Sequence, residues 1–301
     1  MIPAIEISNL NKSIGKKDIL KDISLTIYRG EIVGLIGHNG AGKSTLINIL
    51  TGIKKPTQGS FVIYDNTGTM NKETQKVIGV MPDVDNLYQD MTVRFFLSYM
   101  SEIKGAKLSL QNIRELLEQV GLEAKLSNTR IKALSFGMKK KLCLAQALVG
   151  EPQLLILDEP TSGLDVHSVL HIKNLLLKLR GEGKTILLSS HNMEEVEKSC
   201  DRVAILKSGE LTDIGTIEAL IYKRQGVRKL IIRSSPVVTS DFLNQFALNI
   251  QIISQESNSI VIQVSDDEDI SLLLKTLIEH SYKVYEVRSS DLQLKDIILG
   301  E

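Results

Sequence analysis

A glycine-rich stretch, GHNGAGKST at residues 37–45, contains the residue types that hold a phosphate group. Glycines let the backbone curl so that successive N–H groups point at phosphate oxygens. The stretch fits the pattern G-x-x-x-x-G-K-[ST], with a strand-like run before it and a helix-like run after it. Lys43 is expected to reach the β- and γ-phosphates of a nucleotide, and Ser44 offers a hydroxyl to Mg²⁺. The residues predicted to bind nucleotide here are Asn39, Gly40, Ala41, Gly42, Lys43, Ser44 and Thr45.

A second candidate is the apolar run LLILDEP at residues 154–160, which ends in two carboxylates. A continuous apolar run fits a strand buried on both faces. The carboxyl end of such a strand is where an open α/β sheet places its ligand. We therefore predict that Asp158 holds Mg²⁺ through water, because Mg²⁺ keeps several waters. Glu159 is the candidate that orients or deprotonates an attacking water.

The elements that must position these residues alternate between short β-branched runs and longer helical patterns. This alternation predicts an α/β fold with a largely parallel sheet. Between about residues 85 and 150 the spacing is helical, which indicates a helical subdomain. The helices predicted there are Val93–Ile103, Leu110–Val120 and Met138–Val149. We place a domain boundary between residues 222 and 223. Beyond it, the order strand, helix, strand, strand, helix, strand, with helices predicted at Thr239–Phe246 and Asp269–His280, predicts a small α+β domain of the ferredoxin-like type. A hairpin turn is predicted at Lys207–Glu210. The strands predicted in the first domain are Ala4–Ser8, Ile23–Tyr28, Ile32–Ile36, Ser60–Tyr64, Val77–Met81, Leu154–Leu157, Thr185–Ser189 and Val203–Lys207.

Composition narrows the possible functions. The 301 residues include 36 basic and 36 acidic side chains, so the balance of charge does not favour a nucleic-acid partner. Cys143 and Cys200 are the only cysteines, which fits a reducing compartment. The sequence predicts neither a secretory signal nor an apolar run long enough for a spanning helix. A role at a membrane would therefore need a partner that supplies the spanning segments.

Three further segments carry a resemblance to a known family. LSFGMKKKL at residues 134–142 resembles the LSGGQ signature of ATP-binding cassette (ABC) ATPases, and SGLD at residues 162–165 resembles their D-loop. His191, which follows ILLSS, resembles their switch histidine. The order of phosphate loop, signature, Asp-Glu strand, D-loop and histidine is also that of the family. The resemblance covers residues ~4–220 and implies a P-loop NTPase fold of the ABC ATPase type.

In this family two cassettes face each other head to tail, so the resemblance implies a dimer, either of identical cassettes or of a pair. Ser135 and Gly137 would then contact the ATP held by the partner cassette, with Asp165 close to the same nucleotide. Ser135 is also a good N-cap candidate for the helix that follows it. His191 would contact the γ-phosphate and position the attacking water. ATP bridges the two halves, so hydrolysis would release them.

Four positions depart from the family pattern. Asp83 stands where the family usually has a glutamine that binds Mg²⁺, and Ile14 stands where it usually has an aromatic residue that stacks on adenine. Phe136 and Met138 replace glycine and glutamine in the signature. An oxygen of Asp83 can still meet a hard cation. The three lysines that follow, residues 139–141, are expected to form a solvated start to a helix.

The C-terminal segment SSDLQLKDIILGE, residues 289–301, resembles the tail of bacterial ATP-binding subunits of the drug, lantibiotic and sodium exporters. The leading hypothesis is therefore the ATPase subunit of an exporter, bound to a separate membrane permease at the cytoplasmic face. The alternative is a soluble ABC ATPase that acts in translation, iron–sulfur assembly or DNA repair. A GTP switch is disfavoured because the sequence has no N-K-x-D motif. A non-hydrolytic cassette is disfavoured because Lys43, Asp158, Glu159 and His191 are all present.

Overall fold

The computed structural model describes residues 2–67, 72–225, 228–243, 250–255, 258–264 and 267–289. The chain divides into two compact units, Met1–Thr216 and Ile217–Glu301. A helix at Ile217–Gln225 belongs to the second unit, so the division lies a few residues before the boundary predicted after residue 222. No helix in the described ranges is both long and apolar enough to cross a membrane.

The first unit contains the predicted alternation of strands and helices. Its strands are β1 (Pro3–Ile14), β2 (Lys17–Tyr28), β3 (Ile32–Ile36), β4 (Gln58–Ile63), β5 (Asn66–Thr67), β6 (Ile78–Met81), β7 (Leu154–Asp158), β8 (Thr185–Ser190), β9 (Arg202–Lys207) and β10 (Glu210–Gly215). Its helices are α1 (Lys43–Leu50), α2 (Lys72–Val77), α3 (Val93–Ile103), α4 (Leu110–Gln119), α5 (Phe136–Leu148), α6 (Val166–Gly181) and α7 (Met193–Glu197).

A largely parallel sheet forms the centre of this unit, as predicted. Its strand order is β10-β9-β3-β8-β7-β6, and only β10 pairs with its neighbour in the antiparallel sense. Every residue of β3 and of β8 is buried. These strands are apolar along most of their length because helices cover both faces of a parallel sheet. The turn between β9 and β10 is the hairpin that Lys207–Glu210 indicates in the sequence.

The other sheet of the first unit was not predicted. Strands β1, β2, β4 and β5 form an antiparallel sheet in the order β2-β1-β4-β5. The predicted strands at residues 4–8 and 23–28 are only parts of two 12-residue strands. Register shifts interrupt the pairing of β1 with β2. Such bulges break the two-residue alternation that identifies a strand in a sequence, so the remaining parts of both strands escaped recognition.

The helical subdomain consists of α3, α4, α5 and short 3₁₀ turns between them. Side chains cap each helix at its N-terminus: Thr92 accepts a hydrogen bond from the backbone of Phe95, and Ser109 forms a capping box with Asn112. The bounds of α3 are those predicted from the sequence. Helix α5 begins at Phe136, two residues before the predicted Met138, because Ser135 caps it.

The second unit begins with α8 (Ile217–Gln225) and continues in the predicted order. Its remaining elements are β11 (Arg228–Ser235), α9 (Ser240–Leu243), β12 (Ile250–Gln255), β13 (Ser259–Val264), α10 (Asp267–Glu279) and β14 (Lys283–Ser289). The strands form an antiparallel sheet in the order β12-β13-β11-β14. Alternate residues of β13 are buried, and they pack with α10 in a small core of their own. The predicted helical residues 244–246 and most of the C-terminal segment, residues 290–301, lie outside the described residues.

Candidate nucleotide site

Four neighbouring parallel strands bring the predicted site residues to one edge of the central sheet. The phosphate loop follows β3, and His191 follows β8. Asp158 ends β7, and Asp83 comes two residues after the end of β6. In the sheet these strands are adjacent in the order β3-β8-β7-β6. The carboxyl ends of parallel strands form the usual ligand crevice of an open α/β sheet, so residues far apart in sequence share one site.

Two glycines of the phosphate loop, Gly37 and Gly42, are required by its close packing. A Cβ atom at Gly37 would lie 2.3 Å from the carbonyl oxygen of Leu206. Gly42 has a φ of +111°, and a Cβ atom there would lie 2.7 Å from Cδ2 of Leu20. A side chain at either position would push the loop away from β9 or from β2. The curled backbone is thus built into the fold.

Lys43 holds the same loop from inside. Its Nζ donates hydrogen bonds to the carbonyl oxygens of Gly37 at 2.6 Å and of His38 at 3.3 Å. The side chain is only 7% exposed. Gly42 precedes α1 and offers no side chain to cap it, so the first N–H groups of this helix are available to an anion. Lys43 and the helix start therefore concentrate positive charge at the loop.

Glu159 and His191 meet directly. Nδ1 of His191 lies 2.7 Å from Oε2 of Glu159. Glu159 adopts a left-handed backbone with a φ of +49°, a strained conformation that is found more often at functional sites than elsewhere. A carboxylate at the ligand edge of the sheet, oriented by an imidazole, has the arrangement of a general base.

Ser189 links the carboxylate of Asp158 to the backbone of Glu159 at the end of β7, a role that the sequence did not reveal. This buried serine donates a hydrogen bond to Oδ1 of Asp158 at 2.5 Å. It accepts one from the backbone N–H of Glu159 at 3.0 Å. Ser189 lies opposite Asp158 in the pairing of β7 with β8. The only signal in the sequence is a polar residue at the end of an otherwise apolar strand.

Asp83 and Ile14, two of the four positions that depart from the family pattern, are exposed. Asp83 is the N-cap of a 3₁₀ turn at Val84–Asn86, and its Oδ1 accepts a hydrogen bond from the N–H of Asp85 at 3.3 Å. Ile14 ends β1 at the tip of the β1–β2 hairpin, and its side chain is 49% exposed. The metal contact of Asp83 and the base contact of Ile14 stay predictions.

Comparison with known proteins identifies the family of this chain. A family model described as ABC transporter matches residues 20–162. "Nod factor export ATP-binding protein I" from Rhizobium sp. (strain N33) is 41% identical over 234 residues, which cover 76% of each chain. The chain belongs to the ABC transporter ATPase family. It is an ATP-binding and ATP-hydrolysing transporter subunit with the P-loop NTPase fold.

Two solved cassettes share the architecture of this ABC ATPase. A dimeric post-hydrolysis structure of the ATP-binding cassette MJ0796 bound to ADP and Pi has a TM-score of 0.66 and 28% identity. The similarity covers 71% of this chain and 98% of that one. The cassette cbiO1 from Clostridium perfringens, part of the ABC transporter complex cbiONQ, has a TM-score of 0.63 and 31% identity. That similarity covers 75% of this chain and 93% of cbiO1.

In this cassette the signature packs against the D-loop of the same chain. Ser135 caps α5 by accepting a hydrogen bond from the N–H of Met138 at 3.3 Å. The ring of Phe136 covers Gly163, where a Cβ atom would lie 2.7 Å from the ring. Asp165 caps α6, and hydrogen bonds from Ser168 hold the pKa of its carboxyl below the ordinary value. The signature and the D-loop therefore form one continuous surface.

The prediction that the lysines at 139–141 are solvated is wrong for Lys140, which is only 9% exposed. Burial lowers its pKa, and the carboxylates of Glu159, Asp83 and Asp158 oppose this shift. Its Nζ lies 6.0 Å from the centre of the Phe136 ring. Lys140 thus turns inward toward the acidic side of the site, because the rest of α5 packs tightly against the sheet.

Proposed function

We propose that this cassette binds Mg-ATP at a site shared with a second cassette and uses hydrolysis to drive export through a separate membrane subunit. The observation that carries the proposal is the Glu159–His191 contact of 2.7 Å at the same sheet edge as the phosphate loop. A candidate general base thus lies at the same edge of the sheet as the phosphate loop. A protein that only binds nucleotide does not need such a base.

Nucleotide binding starts at the phosphate loop. The N–H groups of the loop and of the first turn of α1 bind phosphate oxygens. Without nucleotide, the ammonium of Lys43 donates to two carbonyl oxygens. When nucleotide binds, it donates instead to the β- and γ-phosphates, whose negative charge attracts it more strongly. The residues named in this loop from the sequence, from Asn39 to Thr45, all lie on this cradle or on the start of α1.

The oxygen ligands that Mg²⁺ prefers are present in the site. Ser44 exposes its hydroxyl on the first turn of α1, and Asp158 ends β7 with one carboxylate oxygen fixed by Ser189. These two residues would hold the ion together with the nucleotide phosphates and water, and Asp83 would reach it through water. Once bound, Mg²⁺ neutralises charge that develops on the phosphates.

Hydrolysis then depends on this chain's own acid and base groups. Glu159 accepts a proton from a water molecule aligned with the γ-phosphate. His191 fixes the carboxylate through Nδ1, and in its protonated form it also donates from Nε2 to a γ-phosphate oxygen. Glu159 is available for this role because it directly follows β7 at the ligand edge of the sheet.

The second cassette covers the nucleotide with its signature. Ser135 and Phe136 are exposed at the start of α5, so the N-terminus of this helix is accessible to a phosphate of a partner's ATP. Gly137 permits close approach there, and Asp165 lies on the continuous D-loop surface. The dimeric state of the related MJ0796 cassette supports this pairing.

The membrane subunit would dock on α3. Phe95, Tyr99 and Ile103 are spaced four residues apart, lie on one face of this helix, and are 58%, 38% and 62% exposed. Tyr88 extends the patch, since its ring centre is 6.2 Å from that of Tyr99. Exposed apolar patches of this kind mark interaction sites. The export role of the named Rhizobium relative supports an exporter at the cytoplasmic face of the membrane.

One experiment tests the shared site. Glu159→Gln is mixed with ATP and Mg²⁺, and its mass is measured by light scattering after gel filtration. A dimer with ATP and Mg²⁺, and a monomer with ADP, is the expected result. A monomer that is fully occupied by ATP would contradict a nucleotide site shared between cassettes.

A second experiment tests the membrane partner. The tagged chain is purified from membranes, and the co-purifying proteins are identified for the wild type and for the Phe95→Ser, Tyr99→Ser double variant. A multi-span protein that is lost with the variant, while ATP binding is retained, supports the exporter proposal. Recovery of ribosomes or other soluble partners alone would favour the soluble alternative.

A further inference from the structure

The loops that carry Glu159 and His191 are joined by a third carboxylate. Oγ1 of Thr161 donates a hydrogen bond to Oε2 of Glu195 at 2.5 Å. Nδ2 of Asn192 donates to the other oxygen, Oε1, at 3.0 Å. Thr161 comes two residues after Glu159, and Asn192 directly follows His191. Each carboxylate oxygen of Glu195 therefore accepts a hydrogen bond from one of the two loops that carry Glu159 and His191.

The position of Glu195 is itself fixed. Its backbone N–H donates to Oδ1 of Asn192 at 3.2 Å, and the N–H of Asn192 donates to Oγ of Ser190 at 3.0 Å. The next residue, Val196, is buried and anchors α7 to the core. Because both its backbone and its neighbour are held, the carboxylate can restrain a loop without shifting itself.

Helix capping accounts for only half of these contacts. Asn192 is the N-cap of α7, and Glu195 is the third residue of that helix, so a contact between them is expected. The bond from Thr161 adds nothing to a cap, because it comes from the loop after β7. It is a charge-assisted hydrogen bond, the stronger kind, between two separate parts of the chain.

We propose that Glu195 is a positioning residue that clamps these two loops and so sets the distance between Glu159 and His191. The inference rests on the catalytic roles proposed above for that pair. Catalysis is sensitive to such placement, since an error of about 1 Å at reacting groups can cost about 100-fold in rate. Ser189 restrains the first of these loops separately, through the backbone N–H of Glu159 and the carboxylate of Asp158.

The test compares two substitutions of Thr161 that differ in the hydroxyl. Thr161→Val removes the donor and keeps the side-chain shape, whereas Thr161→Ser keeps the donor. We expect the valine variant to lose about tenfold in kcat, with little change in KM for ATP, and the serine variant to stay near wild type. Thr212→Val, which removes a hydroxyl hydrogen bond from β10 to the carbonyl oxygen of Ile205 in β9, is the matched control and should keep full activity.

Two further measurements separate positioning from mere stability. Glu195→Met breaks both contacts. A Thr161→Val, Glu195→Met double variant should be no slower than Glu195→Met alone, because the hydrogen bond that Thr161→Val removes is already absent in Glu195→Met. The imidazole signals of His191 in NMR spectra should move in Thr161→Val and return in Thr161→Ser. If Thr161→Val does not fold, Glu195→Met carries the kinetic and NMR comparisons.

The outcomes are distinct. A valine variant with wild-type kcat, or valine and serine variants that lose activity equally, would overturn the clamp. Unchanged His191 signals in Glu195→Met would do the same. Glu159→Gln is assayed in parallel: if it keeps full turnover, the proposed base itself is wrong, whereas an inactive Glu159→Gln beside a fully active Thr161→Val rejects the clamp alone.

Discussion

Nδ1 of His191 and Oε2 of Glu159 are 2.7 Å apart, although the two residues are separated by 32 positions in the sequence. The parallel pairing of β7 with β8 creates this contact, since Asp158 lies opposite Ser189 and both loops leave the same edge of the sheet. The carboxylate is already oriented when nucleotide arrives. Such preorganisation favours catalysis because little rearrangement is needed in the transition state.

Glu159→Gln should abolish most hydrolysis and leave ATP binding intact. The amide keeps the shape of the side chain but cannot accept a proton, and a general base typically contributes about 100- to 10,000-fold to a rate. Phosphate release measures turnover, and a fluorescent ATP analogue measures affinity. Glu118→Gln, an exposed change on α4, is the control that should keep full activity. Undiminished turnover by Glu159→Gln would remove Glu159 as the base.

The parts of this site that the sequence predicts are those defined by local spacing. The phosphate loop and the Asp158–Glu159 pair each lie within one short segment, so residue types and order suffice to find them. Ser189 and Glu195 act through contacts across neighbouring strands or loops, and spacing along the chain carries no trace of such pairing. Lys140 was assigned to solvent because lysine is rarely buried, yet its burial depends on how α5 packs.

The same limit applies to the fold. Apolar runs identify β3 and β7 because parallel strands are buried on both faces. The antiparallel sheet of β1, β2 and β4 was missed since its membership depends on which strands pair. Bulges also obscure the outer parts of β1 and β2. In the second unit the order of strands and helices predicted from the sequence is the order observed.

Gly37→Ala should disrupt the phosphate loop. The added methyl would lie 2.3 Å from the carbonyl oxygen of Leu206, which belongs to the backbone of β9 and cannot move aside cheaply. We expect a loss of stability of about 1–3 kcal/mol, as for other overpacked sites, together with weaker ATP binding. Thermal melts and fluorescent nucleotide titrations measure both effects.

Gly181→Ala is the matched control for that change. Its methyl, at the end of α6, would meet no atom of the described part of the chain within 4 Å, so it should be neutral or stabilise the chain by up to about 1 kcal/mol. Equal losses of stability in the two variants would show that close packing at Gly37 is not the cause.

Ser101→Ala should leave stability unchanged or raise it. Ser101 is fully buried on α3, and its hydroxyl has no hydrogen-bond partner among the residues that the structure describes. Removing such a group relieves a desolvation cost of about 1–3 kcal/mol, against which the loss of packing is small. Ser109→Ala, which removes the cap of α4, should instead cost about 1 kcal/mol. Urea denaturation ranks the two variants, and a marked loss in Ser101→Ala would contradict the unpaired hydroxyl.

Lys104 should make stability depend on pH above 8. Its Nζ joins the helical subdomain to β6 by donating to the carbonyl oxygens of Val149 at 2.9 Å and Ile78 at 3.0 Å. Burial lowers the pKa of Lys104 from 10.5 to about 8 in the folded protein. Between these two values the unfolded chain binds more protons than the folded one, so the free energy of unfolding contributed by this group rises with pH.

Chemical denaturation of the wild type and of Lys104→Met at pH 7.5, 9 and 10 isolates the effect. As pH rises, the free energy of unfolding of the wild type should increase relative to that of Lys104→Met, because only the wild type loses a buried charge. A difference that stays constant across this pH range would show that Lys104 keeps its ordinary pKa.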